Sequence, residues 1–184
     1  MFRYCPSCAS QNIRFQDNKQ FYCPDCGLVY YHNTAAATGC IITTGEALVL
    51  LVRAKEPALG RLDLPGGFVD PAEGALECLR RECIEELGWD PLERRPESRF
   101  SFFASFPNVY PYRGFPYNTC DLFFTLEAPG LTGADFRLQE EEVAAVRFIR
   151  PEDLDYGEVA FDSTRRALRA WVETLGRPKR REGA

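Results

Sequence analysis

Residues 67–89 read GFVDPAEGALECLRRECIEELGW, and the fold of the whole chain turns on how this run is parsed. A turn, Pro65-Gly66-Gly67, leads into it, and a charged amphipathic stretch follows that Gly88 closes. That order is the pattern of a loop, a helix and its C-cap. At about 100° per residue, Glu82, Glu85 and Glu86 share one face, because positions i, i+3 and i+4 are neighbours on a helix. Leu76, Leu79, Cys83 and Leu87 form a separate apolar stripe. One face therefore suits a core, while the adjoining one gathers negative charge that repels itself unless something offsets it.

Two readings of the acidic face compete. Arg80 and Arg81 stand close enough in sequence to pair with some of these carboxylates, which would make it a solvated surface. Alternatively it binds a divalent cation. Carboxylates clustered without His or Cys suit Mg²⁺ or Mn²⁺, which keep several waters and share their remaining coordination with substrate phosphates. Gly66 and Gly67 support the second reading, because a backbone without side chains can approach a ligand closely.

The run resembles the signature of the Nudix hydrolase family, G-x5-E-x7-R-E-U-x-E-E-x-G-U, in which U is a bulky apolar residue. Gly67, Glu73, Arg81, Glu82, Glu85, Glu86, Gly88 and Trp89 each take their motif place, with the smaller Cys83 at the first U. The resemblance implies an α/β/α sandwich with a mixed sheet, and hydrolysis of a diphosphate aided by Mg²⁺ or Mn²⁺. It makes Glu82 and Glu86 the leading metal ligands with Glu85 alongside. Arg81 would orient a carboxylate, and Glu73 would brace the start of the helix. A carboxylate from another loop often serves as general base in the family. Glu142, ahead of an apolar run at 143–149, fits that place with Glu141 behind it, although Glu140-Glu141-Glu142 also reads as a solvated turn.

The surroundings can be bounded from composition. With 184 residues, 45% hydrophobic and 13% aromatic, the chain suits one ordinary domain plus a small extra module, the domain being the α/β one that the resemblance implies. A net charge of −5 argues against broad nucleic-acid binding. No apolar run approaches membrane-spanning length, and nothing after Met1 reads as an export signal, so the cytoplasm is the expected location. Four of the eight cysteines form matched pairs, Cys5-Pro-Ser-Cys8 and Cys23-Pro-Asp-Cys26, the spacing of a four-thiolate zinc site. Two disulfides or a redox pair would need an export signal or a βαβ context that the sequence lacks. Residues 1–33 are then a zinc ribbon held by structural Zn²⁺, with strands around Phe15, Phe21, Tyr22, Tyr30 and Tyr31. His32 reads as a linker residue, and Cys40, Cys78, Cys83 and Cys120 as small core residues.

Residues 34–176 make the Nudix domain in this reading. Segments 37–44 and 47–53 flank Gly45-Glu46 as a hairpin, 97–106, 117–126 and 143–149 read as strands, and 161–175 as a closing amphipathic helix. Residues 107–116, rich in Pro, Tyr and Gly, read as a loop between two strands. Phe103, Phe106, Tyr110, Tyr112, Phe115 and Tyr117 crowd that region. Some of them would stack on a planar substrate group, for which Phe106 and Tyr110, with Gly66 and Gly67, are the expected binding residues. Other rings would serve the core or a homodimer contact. The basic tail, 177–184, reads as flexible.

A zinc ribbon ahead of a Nudix domain resembles the NADH pyrophosphatase branch of the family. That branch carries a further motif, SQPWPFPxS, where this chain has Ser105-Phe106-Pro107-Asn108-Val109-Tyr110, sharing only a serine, aromatics and prolines. The expected function is a metal-dependent pyrophosphohydrolase of a nucleoside diphosphate linked to another moiety: an NAD(H)-like dinucleotide, ADP-ribose or FAD. An isoprenoid diphosphate isomerase would need a catalytic cysteine with no evident place here. A nucleotide-sensing zinc-ribbon protein that does not hydrolyse is the alternative from another class, and it would have no need of Glu82, Glu85 and Glu86.

Overall fold

Gly39-Cys40-Ile41-Ile42 and Leu48-Val49-Leu50-Leu51 are runs in which neighbouring residues on both faces must be buried, as happens when helices cover a sheet on two sides. The computed structural model, which describes residues 2–17, 19–94 and 99–176, shows that arrangement. Its chain divides into two compact units, Met1–Thr34 and Ala35–Ala184. The basic tail, 177–184, and the start of the expected strand at 97–98 lie outside the described residues.

In the first unit, β1 (Arg14–Gln16), β2 (Gln20–Tyr22) and β3 (Val29–Tyr31) form an antiparallel sheet. Phe21 is its buried centre, with the Tyr30 ring stacked 5.3 Å away and Phe2 and Phe15 against its edges. Each CxxC pair sits in a tight turn: Ala9 N–H donates to the Cys5 carbonyl at 2.9 Å, and Gly27 N–H to the Cys23 carbonyl at 2.8 Å.

The second unit is built on β4 (Ala35–Thr44), β5 (Ala47–Arg53), β6 (Leu62–Asp63), β7 (Ser101–Tyr112), β8 (Phe115–Glu127) and β9 (Val143–Ile149). The path runs β6-β5-β4-β8-β7, with β9 on the other edge of β5. β4 and β8 are parallel and the remaining pairings antiparallel, so the sheet is mixed. Among the described residues three α-helices accompany it: α1 (Ala75–Leu87), α2 (Pro91–Arg94) and α3 (Asp162–Leu175). Alternation along the strands sorts the core into two layers. Cys40, Ile42, Val49, Leu51, Phe124 and Leu126 pack under α1 through Leu79, Cys83 and Leu87. Ile41, Leu48, Leu50 and Phe123 pack under α3 through Ala167 and Leu168. The result is the α/β/α sandwich expected from the sequence.

Helix α1 runs where the motif places it. Glu77 reaches back to accept from the Gly74 N–H at 2.7 Å, and Gly88, at φ 58°, returns its N–H to Ile84 O at 2.9 Å. Trp89 then turns fully into the core against Phe136. The buried stripe is rotated from the expected one: Leu76 is 50% exposed, while Cys78 and Glu86 are buried beside Leu79, Cys83 and Leu87 and Ala75 packs against the core. No helix among the described residues is long and apolar enough to cross a membrane.

The expected loop at 107–116 is instead the tip of one long hairpin. β7 and β8 stay in register to Tyr112↔Phe115, and the connection is only Arg113-Gly114, both with positive φ, 47° and 77°. That is the backbone of a tight two-residue hairpin turn. β7 ends the strand order, so Pro107 and Pro111 sit on an edge strand, where a missing N–H is tolerated. Cys120 is exposed rather than a core residue, since it lies on β8 with the opposite orientation to Asp121.

Candidate active site

The doubled-glycine turn is strapped along β4. Thr38 N–H donates to Gly67 O at 2.8 Å, Cys40 N–H to Pro65 O at 2.8 Å and Val69 N–H to Ala36 O at 3.1 Å. A side chain is excluded at both glycines. A Cβ on Gly66, whose φ is 147°, would collide with the Thr38 carbonyl, and one on Gly67 with the Glu82 carboxylate. The loop thus lies directly on the acidic face of α1, and the Gly66 N–H donates to Glu86 Oε2 at 3.0 Å.

Arg81 organises that face. Its guanidinium meets Glu73 through Nε at 2.9 Å and Nη2 at 3.0 Å, Glu82 at 2.8 Å, Glu85 at 2.9 Å and the Phe68 carbonyl at 3.0 Å. Glu73 also accepts from the Asp70 N–H at 3.0 Å. These bonds hold the Glu73 carboxyl down at about 2, Arg81 being the largest cause, and raise Arg81 above its already high value. Arg80 does not join in. It turns away to Asp90 at 2.6 Å, which also receives the first N–H groups of α2.

Glu86 is the unbalanced member. It is only 8% exposed and takes one hydrogen bond, from Gly66. Burial pushes its carboxyl well above the ordinary range, the Gly66 N–H opposes this, and the charges of Glu82, Asp63 and Glu142 add to it. Glu82 is raised for the same leading reason, with Arg81 opposing. A buried, mutually repelling carboxylate pair is a donor set that fits a hard cation. The three glutamates do not form a closed cage: among the described residues the group of three or more ligand atoms within 4.8 Å of one another is the cysteine quartet. An open arrangement suits an ion that keeps waters and shares substrate oxygens.

These residues border a cleft of about 350 Å³, inside the roughly 300–1,000 Å³ range of small-molecule sites. Glu82, Glu85, Glu86, Arg81, Gly66, Gly67, Glu142 and Tyr110 all line it, whereas Glu73 reaches it through Arg81. Glu142, at the turn before β9, is paired with Lys55 Nζ at 2.5 Å. Glu141 does not line the cleft, and neither does Phe106. The Phe106 ring packs against Phe123 with the Arg166 guanidinium 4.6 Å over it, so α3 covers it.

Sequence reasoning missed part of the lining. Arg53, Lys55, Asp63, Asn108, Thr119 and Asp121 enter the cleft from β5, β6, β7 and β8 and the residues just beyond them. Arg53 and Asp63 form an ion pair at 3.0 Å, and burial raises Asp63 although Arg53 pulls it down. The available signal was a lone acid within an apolar run, as in Leu62-Asp63-Leu64 and Cys120-Asp121-Leu122-Phe123.

In the first unit, Cys5 Sγ lies 3.7 Å from Cys26 Sγ and Cys8 Sγ 3.7 Å from Cys23 Sγ. A tetrahedron with Zn–S bonds of about 2.3 Å has sulfur edges of about 3.8 Å. The quartet therefore fits a tetrahedral zinc ion, and all four cysteines are free thiols.

A helix-flanked mixed sheet, with an acidic helix locked beneath a doubled-glycine loop at the mouth of a cleft, defines the class. The NUDIX domain model matches residues 33–172, and the chain belongs to the Nudix family. Among curated proteins it is 33% identical over 141 residues to the NAD-capped RNA hydrolase NudC of Chromobacterium violaceum, covering 77% of this chain and 47% of that protein. It is 34% identical over 88 residues to the protein of that name from Stutzerimonas stutzeri, covering 48% of this chain and 32% of the other. The chain thus spans about half or less of these relatives. A Nudix hydrolase structure from Nitrosomonas europaea shares the fold over 96% of this chain and 95% of its own, with a TM-score of 0.66 and 22% identity. The Ap4A hydrolase of C. elegans does so over 77% and 98%, at 0.60 and 19%.

Proposed function

We infer that the chain is a divalent-metal-dependent pyrophosphohydrolase that cleaves a nucleoside diphosphate linked to another moiety, with an NAD-type dinucleotide as the first candidate and ADP-ribose and FAD next. The observation that carries this reading is Glu82, Glu85 and Glu86 gathered beneath Gly66-Gly67 at the rim of one cleft, with Arg81 spanning three carboxylates. A purely sensing protein gains nothing from burying Glu86 with a single hydrogen bond. The names of the curated relatives point to the NAD end of an RNA as a related substrate.

Mg²⁺ or Mn²⁺, held by Glu82 and Glu86 with Glu85 beside them, would neutralise diphosphate charge and acidify water. The residues themselves supply the rest. Arg81 fixes the Glu82 and Glu85 side chains, and Glu73 fixes Arg81. The glycine turn, free of side chains, packs close against β4 and the Glu82 carboxylate and so holds its backbone beside the acidic face at the cleft. Glu142 is the general base: it takes a proton from the attacking water as the new P–O bond forms and the bridging P–O bond breaks, with Lys55 holding its carboxylate in place. A homodimer is the proposed assembly, supported by the edge position of β7 and its exposed Phe102, Val109 and Tyr112.

Purified protein incubated with Mg²⁺ or Mn²⁺ and NAD, NADH, ADP-ribose, FAD or NAD-capped RNA should release a nucleoside monophosphate. Glu86→Gln should lower kcat by about 100-fold or more, since even the partners of metal ligands are worth about 10- to 100-fold. Tight binding of a dinucleotide by the wild type with no product would establish the sensing alternative instead.

A further inference from the structure

The cleft is also lined by a buried polar pair on β8 that the diphosphate chemistry does not use. Thr119 is 2% and Asp121 8% exposed. Thr119 Oγ1 and Asp121 Oδ1 are the buried side-chain oxygens left without a hydrogen-bond partner among the described residues. Both line the same cleft as the glutamates. Only one oxygen of Asp121 is used: its Oδ2 accepts from Ser163 Oγ at 2.5 Å and from Asn108 Nδ2 at 3.0 Å. Those two bonds, from α3 and β7, fix the carboxylate so that Oδ1 is the acceptor left over. A buried acceptor with no donor bears the full cost of desolvation, which persists in a native fold when a ligand supplies the missing partner.

The neighbourhood states what kind of ligand. Thr119, Asp121 and Phe123 alternate on one face of β8. Across the parallel ladder their partners are Ala35, Ala37 and Gly39, so small residues flank the pair. Aromatic rings line the same cleft: Phe68 lies 5.4 Å from Tyr110, Tyr110 5.5 Å from Phe161, and the Arg53 guanidinium 5.0 Å over the Phe161 ring. Aromatic faces select a planar group, Asp121 Oδ1 requires an N–H or O–H donor, and the Thr119 hydroxyl can answer with either a donor or an acceptor.

We propose that Asp121 and Thr119 form the specificity floor for a planar heteroaromatic ring bearing an exocyclic –NH₂, whose N–H donates to Asp121 Oδ1. Asn108 and Ser163 act as positioning residues by holding the other oxygen. This rests on the hydrolase reading, since it places that ring in the same cleft as the scissile diphosphate. Two rings of an NAD-type dinucleotide carry the required group, an aminopurine and a pyridine carboxamide.

Three probes separate them: NAD, its hypoxanthine analogue, in which the base amine is an oxo group, and its nicotinic acid analogue, in which the carboxamide is a carboxylate. Each is titrated calorimetrically into the full chain without added divalent metal, and each is assayed for hydrolysis with Mg²⁺ or Mn²⁺. Wild type should bind one analogue about 10- to 100-fold more weakly than NAD, the range expected for one hydrogen bond to a charged group, and that analogue names the ring. In Asp121→Asn the preference should collapse or invert, because the amide can donate to the oxo or carboxylate group. A gain for the disfavoured analogue is something a damaged fold cannot produce. Thr119→Val should reduce the preference with its melting temperature retained. In both variants KM for the preferred substrate should rise. Equal binding of all three probes by wild type, a preference that survives both variants, or no binding of any probe overturns the proposal. Normal hydrolysis without discrimination sinks this floor while leaving the hydrolase intact. Discrimination in binding with no product from any probe sinks the hydrolase reading and leaves the floor standing.

Discussion

Arg81 is the residue on which the acidic face of α1 depends, because a single guanidinium offsets three carboxylates at once and leaves Glu86 to a lone backbone N–H. Glu73 is its strongest partner, and the pH dependence of that pair can be worked out. Glu73 is held at about 2 in the folded chain against an ordinary 4.5. A depressed carboxyl stabilises the fold above its unfolded value and loses that contribution as pH falls toward the folded one. Glu73→Gln should therefore melt below wild type at pH 6–7, with the gap closing between about 4.5 and about 2. Paired thermal melts across that range check this, and a gap independent of pH would assign the effect to packing. This charge logic was legible in the sequence, since the spacing of Arg81, Glu82, Glu85 and Glu86 on a helix already puts them together. Thr119 and Asp121 were not, because a strand pattern says which face a residue takes and nothing about which oxygen is left without a donor.

At the scale of the element, α1 must satisfy two neighbours, a core on one side and a cleft on the other. Leu79 is fully buried among Cys40, Ile42, Val49 and Leu51, while Leu76, one turn earlier on the expected stripe, is 50% exposed. Leu79→Ala should cost about 2–5 kcal/mol through lost burial and the cavity left behind. Leu76→Ala should stay within about 0.5 kcal/mol, as ordinary surface substitutions do. Urea unfolding of both variants separates the two positions, and comparable losses would mean that the first turn of α1 is packed after all. Helical periodicity located the stripe but not its exact rotation toward Cys78 and Glu86, which is set by what packs on the helix from β4 and the glycine turn. The β7–β8 hairpin shows the same limit. Pro107 and Pro111 argue for a loop only if their strand is interior, and the edge position of β7 is a property of the sheet order rather than of the local sequence; Pro116, on β8, precedes Thr119, the first residue of that strand paired with β4.

The molecule as a whole joins two units that are stabilised by different means. The second has a core in two layers, with Ile41, Leu48, Leu50, Leu79, Leu87 and Trp89 all fully or almost fully buried. In the first, Phe21 is the one buried apolar side chain among the described residues besides Cys5 and Cys23. A unit ending at Thr34 falls below the roughly 40 residues under which disulfides, metals or oligomerisation are usually needed. The geometry of the four thiols supplies the means, since zinc binding to such quartets is worth about 10–16 kcal/mol near neutral pH and is gained only as the site folds. Metal analysis of the purified chain should accordingly return about one zinc per chain. Removing it under reducing conditions should bring residues 14–31 to rapid amide exchange while the amides of β4, β5 and β8 stay protected. Cys5→Ser should do the same without a chelator. Slow exchange in the first unit after complete loss of zinc would mean that the ring stack around Phe21 holds the sheet by itself. The metal would then be an occupant of the fold rather than its cause.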